Sequence, residues 1–302
     1  MDGKEALYRL RLLLDETTGA GFLDDRTSYS YLWDAATEFA TRSESLKSSQ
    51  AITTVASTTA YVLNADFMHL YMKDDSGNLF VKYYDGTTYR FINFEPYSSI
   101  IHDNQTTAVT IPSRFTIIDK PALYSRVTGT ATSAGAASGG EATLTDTAAD
   151  FSNVNEGDTI HNTTDRSDGY VLSKTSSTVI VTALFGGSGN DWASSDAYTI
   201  QPQGRLQLVL DPPPSTAGHT VTVEYVQRPM PVFSDYGIYR FQTQYMDAIV
   251  KYAAFIYRYK DQEPDFGNAF FQLFDRSARQ NKYSTDKSLV RTGLAVNLKK
   301  RT

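Results

Sequence analysis

A chain of 302 residues is long enough for two or three domains, and its 41% hydrophobic content can fill sizeable cores without covalent staples. The complete absence of cysteine excludes disulfides, thiolate metal sites and cysteine nucleophiles. A formal charge of −6 argues against nucleic-acid binding as the main task.

In chain order, Leu7, Leu10 and Leu14 recur at helical spacing over residues 4–14. After a turn at Gly19–Gly21, Asp24 and Asp25 stand where a helix N-cap is wanted, and Leu32, Ala36, Phe39 and Leu46 predict a second helix to about Lys47. The two make an αα-hairpin. From Ile52 the period becomes two: Met68, Leu70 and Met72 alternate with Phe67, His69 and Tyr71, and Leu79, Val81 and Tyr83 with Phe80, Lys82 and Tyr84. Asp75–Asn78 and Asp85–Gly86 have the composition of hairpin turns. Further strands are predicted at Arg114–Ile118, Arg205–Leu210 and Thr220–Val226, with a loop at Pro212–Pro214 and Gly218 between the last two.

Between Gly129 and Gln203 nine acids stand against two bases, a balance of −7, so the rest of the chain sums to +1. Within it, after Ser133–Gly140, a flexible composition, come short strands at Thr143–Leu144, Thr159–His161, Gly169–Leu172, Val179–Ala183 and Tyr198–Ile200. A small β-barrel or sandwich inserted into an exposed loop is expected. Phe241, Tyr245, Ile249, Tyr252, Ile256 and Tyr259 then form one helical stripe, ended by Lys260-Asp261. Pro264 suits the first turn of a further helix, with Phe266, Phe270, Phe274 and Ala278 on one face and Arg276, Arg279 and Lys282 on another. From Ser284 onward, Lys287, Arg291, Lys299, Lys300 and Arg301 oppose only Asp286, a basic extension.

The pattern predicts an α+β protein. Residues 1–48 and 236–283 would form a helical bundle, 49–126 and 204–235 an antiparallel β domain, 127–203 an inserted β-barrel or sandwich module, and 284–302 an extended tail. The first residues lack the apolar core of a signal peptide, and no run approaches the roughly 20 apolar residues of a membrane-spanning helix, so a soluble protein with no membrane partner is expected.

Chemistry-bearing patterns are sparse. The histidines His69, His102, His161 and His219 lack a second ligand at helical spacing, and Phe185–Asp191 is glycine-rich without a following helix. Asp165, Asp168, Asn190, Asp191 and Asp196 offer oxygen ligands for calcium on loops, although the spacing fits no EF-hand; the alternative is a solvated acidic surface. Carboxylate pairs for glycoside hydrolysis depend on the fold. No catalytic residue, cofactor or metal site is assigned. Tyrosine occurs 20 times and phenylalanine 16, and such residues suit protein interfaces as well as cores.

The run Ser49–Ala56 followed by Tyr61–Tyr71, then Leu206–Leu210, Pro212–Pro214, Val221–Pro229 and the Tyr/Phe-rich helix pair, resembles head-to-tail adaptor (connector) proteins of tailed bacteriophages. The resemblance covers residues 5–125 and 205–283, and 127–203 resembles a β-module of phage virion proteins. It implies a non-enzymatic homo-oligomeric ring, commonly a dodecamer, in the neck of the virion and in the host cytoplasm during assembly. Its partners would be the portal protein above and a tail or nozzle protein below, with genomic DNA passing through the channel without tight binding. On that basis Leu294, Val296, Leu298, Lys299, Lys300 and Arg301 are expected to dock on the portal, and Tyr245, Tyr252, Tyr259, Phe270, Arg276 and Arg279 to serve the bundle and neighbouring subunits. A second reading is a carbohydrate- or receptor-binding fibre or baseplate component with its ligand face around Trp192 and Tyr198; a third is a polysaccharide-degrading virion enzyme.

Overall fold

The structure, a computed structural model, describes residues 1–16, 23–71, 81–103, 107–120, 125–260 and 264–287. The protein is α+β, with helices α1 (Gly3–Leu14), α2 (Asp25–Ser43), α3 (Tyr97–Asp103), α4 (Thr243–Lys260) and α5 (Pro264–Lys287). It divides into a helical unit, Met1–Leu46, Ser138–Glu141 and Pro229 onward, and a β unit, Lys47–Ala137 and Ala142–Arg228.

In the helical unit, Asp2 and Asp24 cap α1 and α2 by accepting the Glu5 and Thr27 amides at 2.8 and 2.7 Å. Helix α2 stops at Ser43 because Glu44 adopts φ 49, so Leu46 lies beyond it and Lys47 already opens a strand, earlier than the spacing predicts. Leu10, Leu32, Phe39, Met246, Ile249, Ala253, Phe274 and Ala278 are fully buried where α4 meets α1, α2 and α5. Of the predicted stripe, Phe241, just before α4, and Ile249 are buried, and the buried face extends onto Met246 and Ala253. Ala253 and Ala254 sit at 0% exposure because small residues let helices approach, while Tyr259 remains 66% exposed. Helix α5 continues to Lys287, so the first residues assigned by sequence to an extended tail are helical.

The β unit begins with β1 (Lys47–Thr53), β2 (Ala60–Val62), β3 (Phe67–Leu70), β4 (Val81–Tyr84), β5 (Tyr89–Phe91), β6 (Asn93–Phe94) and β7 (Arg114–Lys120). Next come β8 (Val127–Thr130), β9 (Ala142–Thr145), β10 (Thr159–Asn162), β11 (Ser167–Lys174), β12 (Val179–Phe185) and β13 (Ala197–Gln201), and last β14 (Arg205–Asp211) and β15 (Thr220–Gln227). One sheet has the order β1-β15-β4-β5 and another β2-β14-β7-β6. They share a core of Ile52, Tyr61, Phe67, Tyr83, Phe115, Leu208, Leu210, Val221, Val223 and Tyr225. All the pairings of these two sheets are antiparallel except β6 with β7.

Among the described residues, β3 and β4 both pair with β15, at Tyr225–Gln227 and Thr220–Val223, and not with each other. The expected turn at Asp75–Asn78 and the one at Gly19–Gly21 lie outside the described residues. Strands β7 and β14 pair along their whole length, Arg205 opposite Lys120, and the module leaves between these paired ends. Its six strands run β8-β13-β10-β11-β12-β9. The Thr132 amide donates to Thr145 O at 2.7 Å, bringing the two ends of that sheet together and curling it around Leu144, Phe151, Ile160, Trp192 and Tyr198.

Candidate interaction surfaces

The segment Tyr89–Asp103 crosses from one sheet to the other. Ile92, 2% exposed, anchors it, with β5 on β4 before it and β6 on β7 after it. Ile100 is buried as well, at 7%, whereas five large side chains face outward: Tyr89 is 67% exposed, Phe91 49%, Phe94 50%, Tyr97 46% and Ile101 58%. Five exposed large apolar side chains on one short segment make it a candidate interaction surface.

The ridge is held firmly. Asp85 accepts the Thr87 and Thr88 amides at 2.9 and 2.8 Å, closing the β4–β5 turn around Gly86 at φ 94, and these backbone bonds, Thr88 first, lower its pKa. Tyr84 stacks on Tyr89 with centroids 4.6 Å apart. At the other end Arg114 donates to Asp211 at 2.5 Å and to Asp103 at 2.6 Å, with Glu95 at 3.8 Å. The bonds to Asp103 and Asp211 raise its pKa, so the guanidinium stays charged and binds α3 to β7 and β14. Sequence reasoning missed this ridge. The signal available was seven large apolar residues between 89 and 101, more than one face of so short a segment can bury.

The family model of the SU10 adaptor protein matches residues 124–295. The chain belongs to the SU10 adaptor family. No curated protein matches it. The family is one of phage structural adaptors. The matched span contains the whole β8–β13 module, which the sequence resemblance set apart from the adaptor, together with β14, β15, α4 and α5.

The sequence-derived adaptor residues separate into three groups. Tyr245 and Tyr252 are internal: Tyr245 lies 5.6 Å from the Phe39 ring, and Tyr252 stacks on Phe274 at 4.2 Å, where burial raises its pKa. Phe270 is half-buried, whereas Tyr259, Arg276 and Arg279 are exposed, Arg279 bonding to Asp275 at 2.8 Å. Leu294, Val296, Leu298, Lys299, Lys300 and Arg301 lie outside the described residues.

The proposed ligand face of the module is overturned. Trp192 is 1% and Tyr198 2% exposed; the indole donates to Thr182 Oγ1 at 2.9 Å and the phenol to Asp146 at 2.7 Å, so both rings build the core. Nor are the module's acids simply a solvated surface, since Asp146, Asp158 and Asp196 are buried and accept loop hydrogen bonds. Asp196 accepts the Ala193 amide at 2.7 Å and Asn162 Nδ2 at 3.0 Å, Asp165 accepts Ser188 Oγ at 3.0 Å, and Asp168 meets His161 at 2.5 Å. Among the described residues no group of three or more His, Cys, Asp or Glu side chains could hold a metal ion. No helix there is long and apolar enough to cross a membrane.

A cleft of about 360 Å³ separates the parent residues Asn64–Asp66 and Arg205 from the module residues Val154–Glu156 and Lys174. Beside it, Asp158 accepts the Gln203 amide at 2.9 Å, and the Gln203 side chain donates to Gly157 O and accepts from Arg228. Sequence also read Ser133–Gly140 as flexible throughout. Its last residues instead form, with Glu141, a tight turn in the helical unit, Ser138 and Glu141 exchanging both backbone hydrogen bonds.

Proposed function

We propose that this adaptor assembles into a ring, expected to be a dodecamer, that docks on the portal and links it to the tail or nozzle protein while genomic DNA passes through. The observation that carries this reading is the family match over residues 124–295. The rigid ridge of Tyr89, Phe91, Phe94, Tyr97 and Ile101 supports it, since large aromatic residues on a fixed scaffold bury area at low entropic cost. We assign that ridge to a neighbouring copy in the ring. Tyr259, Arg276 and Arg279, on the outer sides of α4 and α5, are available to the same assembly.

In this reading residues 1–48 and 236–283 act as a helical base, 49–126 and 204–235 as the β domain, and 127–203 as an added module. The portal contact is assigned to Leu294, Val296 and Leu298, whose alternation suits strand addition to a sheet edge, with Lys299, Lys300 and Arg301 orienting the encounter. A chain of net charge −6 is expected to let DNA slide, because tight duplex binding rests on phosphate neutralisation.

Mass measurement of the protein alone and mixed with portal rings tests the function. Stable co-assembly at a fixed stoichiometry is expected for the full chain. Its absence at micromolar concentration would sink the portal assignment. A chain ending at Lys287, the last residue of α5, should keep its circular dichroism and lose cosedimentation; equal docking would move the contact elsewhere.

A further inference from the structure

The turn Ser138–Glu141 belongs to the helical unit, whereas Ala137 and Ala142 on either side belong to the β unit. Its attachment is small and specific. Gly139 O accepts the Asp235 amide at 2.9 Å, and Glu141 Oε1 accepts the Ser234 hydroxyl at 2.5 Å. Gly139 and Gly140 have φ +57 and +85, and a Cβ on Gly139 would stand 2.2 Å from the Tyr236 ring, so only glycine lies flat there.

The seat is firm. Residues 234–239 are bonded to the start of the chain, Gly3 N to Gly237 O at 2.8 Å and Tyr239 N to Met1 O at 3.1 Å, while Gly237 N donates to Ser234 Oγ at 3.0 Å. The turn itself is less protected: Ser138 and Gly140 are exposed, as are the small residues Ala136 and Ala137 before them. Few, solvent-accessible hydrogen bonds and little buried apolar surface characterise segments that open locally, far below the free energy of global unfolding.

We propose that Ser138–Glu141 is a releasable strap: it fastens on Ser234–Tyr236 and lets go while the helices stay folded. The strap belongs to the family-matched span, yet the inference does not depend on portal binding or ring formation.

In the unmodified protein, hydrogen exchange at Asp235 should be roughly a hundredfold or more faster than at Ile249 and Ala253 of α4. Exchange at Asp235 in step with those core amides would overturn release without unfolding. Glu141→Ala, which removes the carboxylate that accepts the Ser234 hydroxyl and leaves the Gly237 amide bond to Ser234 Oγ, should speed exchange at Asp235 and leave α4 protection unchanged; no acceleration counts against the strap.

Discussion

Replacing Val127–Gln203 with a short Gly/Ser linker should leave a folded protein, because the module interrupts a connection between strands that are already paired. Arg205 lies opposite Lys120 at the last register position of β7 and β14, so the linker has only to complete a hairpin. Hydrogen bonds lost with the module include Gln203 to Arg228 at 3.1 Å, Arg205 to Asn153 at 3.5 Å, Gly139 to Asp235 at 2.9 Å and Glu141 to Ser234 at 2.5 Å. At about 1 kcal/mol each, the retained protein loses about 4 kcal/mol, within the usual 5–15 kcal/mol stability of a domain. At roughly 2–4 °C per kcal/mol for a chain of this size, the calorimetric midpoint should fall by about 8–16 °C while a cooperative transition persists. Circular dichroism should retain the helical signal, and the variant should still join portal complexes. A chain without a cooperative transition would refute the hairpin argument; a folded chain that no longer binds would assign docking to the module.

Three further outcomes follow from the interior. Tyr198→Phe removes a buried hydroxyl bonded to the buried Asp146 carboxylate and should cost about 1.5–3 kcal/mol in chemical denaturation; a change near zero would mean that Asp146 finds another donor. Tyr239→Phe should be neutral or stabilise by up to about 1 kcal/mol in the same assay, since its hydroxyl is buried with no hydrogen-bond partner among the described residues. Burial of Asp158 raises its pKa above 3.8 despite the amide bonds from Asn155 and Gln203. The folded state thus holds that proton more tightly, so the contribution is fully present below the ordinary carboxylate range and is lost as pH rises through the raised value. Asp158→Asn should flatten that part of the stability-versus-pH curve; an unchanged slope would reject the assignment.

The cap at Asp24, the Asp85-Gly86 turn and the alternation of β15 were legible in the sequence because each is decided within a few residues of backbone. Charge and low-complexity flanks likewise marked the inserted stretch. Which face each element buries was not local. Trp192 and Tyr198 look like a ligand platform until the sheet curls and places both rings inside, and the α4 stripe gains Met246 and Ala253 as buried neighbours of Ile249, while Tyr259 stays exposed, only when α1, α2 and α5 come against it. Composition described Ser138–Glu141 as slack; the acceptor for Ser234 and the donor for Gly139 lie almost a hundred residues apart in the chain from their partners. The ridge of Tyr89, Phe91, Phe94, Tyr97 and Ile101 exists because Ile92 turns inward and Arg114 pulls Asp103 onto a distant strand. A period read along the chain reports which residues share a side, but the side that meets solvent is set by what else packs there.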